Sequence, residues 1–205
     1  MRFVTLGVGA QRSPRHAPAG LLVSHAGIHV MIDGGPGAEP PERLNAWLLT
    51  DERAELVSSI RRLAAARGVV PHAGDFQKGP LAIERRPVVH TSHPAFGYRI
   101  RAEGRTAVWA PEFYEFPRWA GRADLMFAEA AAWDRPIHFR GSVGGHLDVM
   151  AVAKAARRAG VKRLVFAHIG RPTLRALAQG KQPPFGEFAA DGQIFVLPRT
   201  GRPRR

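Results

Sequence analysis

Short apolar or alternating segments dominate the first fifty residues of the chain. Each segment is bounded by glycine, proline or polar residues, and the four lie at 2–8, 20–24, 28–32 and 46–50. Runs of this length and boundary chemistry are typical of β-strands. The N-terminal half therefore predicts a sheet, and its first strand does not resemble a charged and apolar signal sequence.

Segment 51–67 has a different periodicity. Its apolar residues recur at helical spacing and are Leu56, Ile60, Leu63 and Ala64. Thr50 or Asp51 is available as an N-cap, and Gly68 lies just past the end. The pattern predicts the first long helix.

The second half alternates strand and helix signals. Strands are predicted at 87–89, 96–101, 106–109, 125–129, 163–167 and 193–197, with a tight turn at Glu103-Gly104. Helices are predicted at 147–159, ending at Gly160, and at 173–179. Strands and helices in this order favour an α/β layered sandwich. We expect one domain over 1–198 and a basic tail over 199–205.

Composition excludes several classes of protein. The chain has 205 residues, of which 45% are hydrophobic and 23% charged, and it contains no cysteine. A domain of this size can bury a core without disulfides or a structural metal, so a metal would serve chemistry. No apolar run reaches the roughly 18 residues of a membrane span, and we expect a cytoplasmic protein.

The net charge of +13 would ordinarily suggest a polyanionic partner. Only four of the 30 basic residues are lysine, however, and the arginines are dispersed in a chain rich in Ala, Gly and Pro. Such a bias also arises from a GC-rich genome. Nucleic acid thus stays a candidate partner on charge alone.

Four motifs occur in an order that resembles a known superfamily. They are LGVG (6–9) with IDGGPG (32–37), HTSHPAFGYRI (90–100), GHL (145–147) and RLVFAHI (163–169). Together they resemble the metallo-β-lactamase superfamily, especially its branch of RNase Z and related phosphodiesterases. The resemblance spans nearly the whole chain and implies an α/β four-layer αββα sandwich.

The family's H-x-H-x-D-H motif is absent after Leu49-Thr50. Asp51 and Arg53 stand where its first two histidines would be, Glu55 replaces the aspartate, and Leu56 replaces the last histidine. The bridging aspartate of the family is also altered, at Pro111-Glu112. The usual pair of metals cannot be assembled from these residues.

Pyrroloquinoline quinone biosynthesis protein B departs from the family in a similar direction. It resembles this chain in an LTD start to the first motif, a proline after the later strand and a GH before its helix. It keeps an Asp-His pair that is absent here, so the chain is interpreted as a divergent relative of both branches.

A reduced metal site is still conceivable. The resemblance carries over His168 and one of His90 or His93, and leaves that choice open. The carboxylates near former ligand positions are Glu112, Asp51 and Glu55. Two histidines and a carboxylate suit one divalent ion, either zinc or Mn(II) or Fe(II).

The same residues also predict a metal-free pocket. A guanidinium at Arg53, fixed among Asp51, Glu55 and Glu112, would neutralise their charge and repel a metal ion. The sequence is compatible with both hypotheses.

His146 matches a histidine that the resemblance implies to be a proton donor, a role suited to an imidazole pKa near 6.5. Gly144 and Gly145 precede it, and their N–H groups could hold an anion beside the predicted helix start. The alternative is a histidine that is only hydrogen-bonded locally.

We expect a metal-dependent hydrolase acting on a small-molecule or phosphodiester substrate, with no membrane partner. The alternative is an inactive descendant that binds a small anion or nucleic acid. Oxidation at a non-haem iron is a third reading. The sequence does not indicate an oligomeric state.

Overall fold

A computed structural model describes residues 1–199 apart from the side chain of Ser142. The predicted tail beyond Arg199 lies outside the described residues. In chain order the strands are β1 (Arg2–Gly7), β2 (Gly20–His25), β3 (Ile28–Asp33), β4 (Ala46–Leu48), β5 (Phe76–Lys78), β6 (Leu81–Val88), β7 (Ala95–Ala102), β8 (Arg105–Ala110), β9 (Leu125–Ala130), β10 (Ile137–His138), β11 (Gly145–His146), β12 (Leu164–Ile169), β13 (Glu187–Phe188) and β14 (Gln193–Val196). The helices are α1 (Val57–Ala65), α2 (Val149–Arg158) and α3 (Arg171–Ala178).

Twelve of these strands form two sheets. One sheet has the order β14-β1-β2-β3-β4, and the other has the order β13-β12-β9-β8-β7-β6-β5. The inner faces meet through aromatic side chains: the Phe127 ring lies 5.9 Å from that of Phe3 and 5.1 Å from that of Phe195. The core therefore fills the space between the two sheets.

Helices cover the sheets. The buried residues Val57, Ile60 and Ala64 of α1 pack with Met31 and Trp47 of the five-stranded sheet. Helix α2 buries an apolar stripe and contacts β9 and β12 of the other sheet. The predicted α/β four-layer αββα sandwich is confirmed.

Three parallel strands of the seven-stranded sheet end at the same edge. β8 pairs with β9, and β9 with β12, both in parallel register, with Ala110 opposite Ala128 and Ile169 opposite Ala130. Residues that follow or end these strands therefore converge, as is general for parallel strands. Among them are Glu112, Glu129 and His168.

Two helices begin later than the sequence predicts. Residues 51–56 form turns, in which Asp51 Oδ1 accepts the backbone N–H of Arg53 at 2.7 Å. The predicted cap thus folds back on its own loop, and α1 starts at Val57. Similarly, α2 starts at Val149, because Asp148 caps it by accepting the N–H of Ala151 at 2.9 Å.

The sequence patterns missed several short strands. β5, β10, β11 and β13 have two or three residues each, too few to show a period. The turn at Glu103 and Gly104 is present, with φ angles of 52° and 73°. Among the described residues, none of the helices has the length and apolar character to traverse a bilayer.

Candidate metal centre

Glu129 is a carboxylate at the end of β9 whose side chain is wholly buried. Its Oε1 accepts the Ala131 N–H at 2.8 Å and lies 3.3 Å from His168 Nδ1. Its Oε2 accepts the Phe113 N–H at 3.1 Å and lies 2.8 Å from His146 Nδ1. Both oxygens are therefore occupied by N–H donors.

The contacts of Glu129 determine its charge. Burial raises the pKa of the carboxyl group, but the opposing effect of the two imidazoles is larger and lowers the pKa to about 2. An ionised carboxylate only accepts hydrogen bonds, so His146 and His168 each donate through Nδ1. Their Nε2 atoms are left for other partners.

Glu129, His146 and His168 have potential ligand atoms within 4.8 Å of one another. Glu129 is nevertheless poorly suited to bind the ion itself, because its oxygens are already saturated by four N–H groups. It matches instead the outer carboxylate that orients ligand histidines in many metal sites.

Glu112 follows β8 and lies between two imidazoles. Its Oε1 is 2.7 Å from His168 Nε2, and its Oε2 is 3.4 Å from His90 Nε2. His90 is buried, and its Nδ1 donates to the Gly145 carbonyl at 2.9 Å. Both histidines are thus held through Nδ1 and face Glu112 through Nε2.

The charges of this group are strongly coupled. Burial lowers the pKa of His168, but the carboxylates of Glu112 and Glu129 raise it to about 10. Burial likewise raises the pKa of Glu112, but His168, His90 and His146 bring it far below its ordinary value. In the ion-free protein His168 and Glu112 therefore form a charged pair.

The donor set of His90, Glu112 and His168 fits a divalent ion. Two atoms that bind one tetrahedral zinc lie about 3.3 Å apart. The 3.4 Å separation of His90 Nε2 and Glu112 Oε2 meets this spacing. The 2.7 Å contact of Glu112 with His168 would need to lengthen, with loss of the proton from His168.

His168 has a backbone φ of 57°, in the left-handed region that non-glycine residues seldom adopt. The β9–β12 register also shifts between Phe166 and Ile169. Backbone strain of this kind is often found at functional sites, where it aims a side chain.

His93 and Asp51 form a separate hydrogen-bonded pair near these residues. His93 Nε2 donates to Asp51 at 2.8 and 3.0 Å from its two oxygens. Asp51 is buried, with 7% of its surface exposed. Of the two histidines that the sequence left open, His90 rather than His93 faces Glu112.

The expected charge neutralisation by Arg53 is not found. Arg53 and Glu55 are exposed, and within residues 1–199 neither side chain makes an ion pair. Arg53 lies on the turn before α1 and contacts Asp51 through its backbone N–H alone. The Asp51 charge is instead met by His93.

The expected anion site at Gly144 and Gly145 also needs correction. The Gly145 N–H donates to the His90 carbonyl at 2.9 Å, and the Asp148 carboxylate occupies the start of α2. His146 lies on β11, paired with Ile137 of β10, and not at the helix start. This glycine pair serves close packing.

Asp33, within the IDGGPG motif, has a structural role. Its Oδ1 accepts from the N–H and hydroxyl of Thr50 at 2.8 and 2.9 Å, and its Oδ2 accepts from the Trp109 indole at 2.8 Å. Burial raises its pKa to about 6, against the lowering effect of these donors. The carboxyl group joins the two sheets.

Sequence reasoning assigned no role to Glu129. One signal was available: it is the sole charged residue in the strand LMFAEA, whose six residues are all buried. A carboxylate in such a strand needs several donors, and these are often functional groups.

A cavity of 520 Å³ joins these groups, and we call it the histidine cavity. Its lining includes the candidate residues Asp51, Arg53, Glu55, His90, His93, Glu112, His146 and His168. All the predicted metal-site side chains thus border one cavity, although only some of them contact each other.

Solved structures with a similar fold cover nearly the whole chain. The human short-form tRNase Z has 15% identity and a TM-score of 0.73, covering 97% of this chain and 100% of its own. A diphosphatase from the PhnP family has 17% identity and a TM-score of 0.72, covering 97% and 99%. Zn(2+)-bound PqqB from Methylobacterium extorquens has 15% identity and a TM-score of 0.71, covering 96% and 100%.

No curated protein sequence shows a detectable match to this chain. The family model described as the beta-lactamase superfamily domain matches residues 39–169, well over half of the chain. That segment includes Glu129 on β9 and His146, and it ends just after His168. The chain belongs to the beta-lactamase superfamily.

Proposed function

We propose that the protein is a metal-dependent hydrolase of phosphodiester or ester bonds with one divalent ion held by His90, Glu112 and His168. The observation that carries the proposal is the convergence of two Nε2 atoms on one carboxylate, 2.7 and 3.4 Å away. Each imidazole is fixed through its other nitrogen, as ligand histidines usually are.

Relatives of similar fold support this reaction class and this cofactor. A diphosphatase and a tRNase Z are among them, and PqqB was solved with zinc bound. Two nitrogens and a carboxylate suit zinc, with Mn(II) or Fe(II) as alternatives. The ion would supply a Lewis acid that polarises a phosphoryl or acyl oxygen and acidifies water.

His146 would transfer a proton to the leaving group. Glu129 holds its Nδ1 at 2.8 Å, and the ring lies edge-on to Phe139 with centroids 5.3 Å apart. Its ring centroid is 4.8 Å from that of His90. A proton on Nε2 would thus be presented beside the ligand group in a fixed direction, as general acid catalysis requires.

Elemental analysis of the full chain, purified without chelator, tests the proposal. We expect about one ion per chain in the wild type and in His93→Ala, whose partner is Asp51. His168→Ala should lose the ion, whereas His138→Ala, an exposed residue, controls for histidine loss. Ion retained by His168→Ala, or absent from the reconstituted wild type, would contradict it.

Activity is tested on aryl phosphodiesters and aryl acetates whose leaving groups range from p-nitrophenol to the more basic phenol, since only the basic leaving groups need a proton from the protein. His146→Gln should keep the ion and lower kcat by roughly 10²- to 10⁴-fold, the usual range for a general acid. The dependence of kcat on leaving-group pKa should become steeper in this variant, because the leaving group must then carry the developing negative charge alone. An unchanged kcat would exclude His146 as the donor.

A second function is favoured by the 2.7 Å contact between His168 and Glu112. This ion pair satisfies both groups without a metal, so the cavity would serve to bind a small anion or nucleic acid. Arg53 and Arg171 are exposed at its mouth. Polynucleotide binding would then weaken steeply with salt, and the slope would report the phosphate contacts.

A further inference from the structure

A second cavity of 380 Å³ lies beside the histidine cavity, between α1 and the loop that follows β1. Its wall is largely apolar, and we call it the apolar chamber. The apolar side chains that define it are Pro18, Leu49, Ala54, Leu56, Val57 and Ile60. The volume is within the usual range of small-molecule sites.

The chamber opens directly onto the candidate metal centre. Glu112 and His168 line both cavities, as do Ala54 and Ala10. A ligand whose reacting bond lies at Glu112 and His168 would therefore have one side in the histidine cavity. Its other side would extend into the apolar chamber.

The chamber arises where this chain departs from its family. The resemblance implies a histidine at the position of Leu56, and the late start of α1 leaves Ala54 on a turn facing the cavity. An apolar wall thus replaces a polar motif.

The surroundings favour an anionic ligand of small size. Arg12 lines the chamber, and Arg53 and Arg171 line the histidine cavity. All three are exposed, and within residues 1–199 none makes an ion pair. The carboxylates Asp51 and Glu112 of the lining already have partners in His93 and His168, and Glu55 is exposed. A chain of nucleotides would bring charged groups against the apolar wall at high desolvation cost, whereas an alkyl or aryl group would not.

We propose that the apolar chamber binds the alkyl or aryl group of a small anionic ester or phosphoester. The nature of the bond cleaved rests on the proposed function, but the apolar specificity does not. Chain length of the ligand should thus determine affinity whether or not an ion is bound.

Calorimetric titration with methyl-, butyl-, hexyl- and octylphosphonate tests the proposal. The full chain is titrated after zinc loading and, separately, after chelator treatment. Affinity should rise roughly three- to fourfold per methylene from methyl to hexyl, the value expected for burial in an apolar site. This dependence should be present in both states, and zinc should add a constant factor.

Ala54→Phe fills the chamber and should make the four affinities nearly equal. Ala65→Phe, on the exposed side of α1, is the matched control and should keep the wild-type slope. If Ala54→Phe does not fold by circular dichroism, Ala10→Phe replaces it, since Ala10 also lines the chamber.

Equal affinities for all four phosphonates in wild type would overturn the proposal. An unchanged slope in the folded, filled variant would also overturn it. If the protein binds no zinc but affinity still rises with alkyl chain length, the result would support the chamber and would contradict only the hydrolase proposal. The two proposals can thus fail separately.

Discussion

At the scale of single residues, Glu129 organises the candidate centre. One buried carboxylate accepts N–H groups from two loops and from two histidines. The imidazoles of His146 and His168 therefore stack with centroids 5.3 Å apart, and both present Nε2 to the cavity. The position of the carboxylate, rather than its own ligation, sets the geometry.

Glu129→Gln tests this role. The amide keeps the shape but turns one acceptor into a donor, which faces an N–H group in the buried site. Outer-shell substitutions of this kind lower metal affinity by about 10- to 100-fold. Zinc affinity, measured by competition with a chelator, should fall by that factor, with a smaller change for Glu55→Gln at an exposed position.

The circular dichroism spectrum of Glu129→Gln should stay native. We also expect the free energy of unfolding to fall by about 1–3 kcal/mol, because a buried donor is left without an acceptor. Zinc affinity equal to that of the wild type would show that Glu129 does not orient the ligands.

At the scale of elements, periodicity predicted both longer helices and most of the long strands, but it found only 87–89 where β6 extends over Leu81–Val88. It misplaced the starts of the two helices, because Asp51 and Asp148 accept hydrogen bonds from nearby backbone N–H groups in ways that spacing does not reveal. The strands β10 and β11 are too short for any period. Their pairing depends on contacts distant in sequence, such as that of Gly145 with His90.

Gly145→Ala tests the packing role of this element. Gly145 has φ of 152°, and a Cβ there would lie 1.8 Å from the Ile137 carbonyl oxygen. The β10–β11 pair must separate, moving His146 and the carbonyl that holds His90. We expect several kcal/mol of destabilisation or failure to fold, measured by urea unfolding.

Gly27→Ala is the matched control for backbone conformation. Gly27 also has a positive φ, of 76°, but no atom lies within 4 Å of a Cβ built there. It should cost only about 1–2 kcal/mol from the left-handed backbone. Equal costs at the two positions would mean that the contact with Ile137 has no role.

At the scale of the molecule, the motif order predicted the fold and the family, although identity to solved structures is only 15–17%. The candidate site was predicted less fully. His146 and His168 followed from the motifs, which left the choice between His90 and His93 open. The pairing of His93 with Asp51 required the turn at 51–56. Glu129 was missed because a buried carboxylate has no sequence motif of its own.

The free energy of unfolding of the whole molecule should depend on pH through the charged groups of this site. In the ion-free protein the His168 pKa is about 10, above its ordinary 6.5. A raised folded pKa gives stability that is complete below pH 6.5 and is lost as the pH rises towards 10. The pKa of Asp33 is also raised, from 3.8 to about 6. Asp33 therefore adds a loss of stability as the pH rises from 3.8 towards 6.

Glu129 affects stability at acidic pH. Its folded pKa of about 2 lies below the ordinary 4.5, so its contribution is complete above pH 4.5 and is lost as the pH falls towards 2. These groups together place the maximum stability of chelator-treated protein near pH 4 to 4.5, because Asp33 already lowers it as the pH rises towards 6 and His168 lowers it further above pH 6.5. Above that window the free energy of unfolding should decline, although most of the surface charge is arginine and does not titrate there.

Urea unfolding of chelator-treated wild type and His168→Gln between pH 5 and 10 checks this expectation. Both proteins should lose some stability between pH 5 and 6.5 through Asp33. Above pH 6.5 the wild type should go on losing stability, whereas His168→Gln should be nearly flat because the titrating imidazole is gone. His138→Gln, at an exposed position, should follow the wild type. Zinc should reverse the trend, since its binding requires an unprotonated His168 and strengthens as the pH rises. Parallel wild-type and His168→Gln profiles would show that the His168–Glu112 pair does not carry the charge that its 2.7 Å contact indicates.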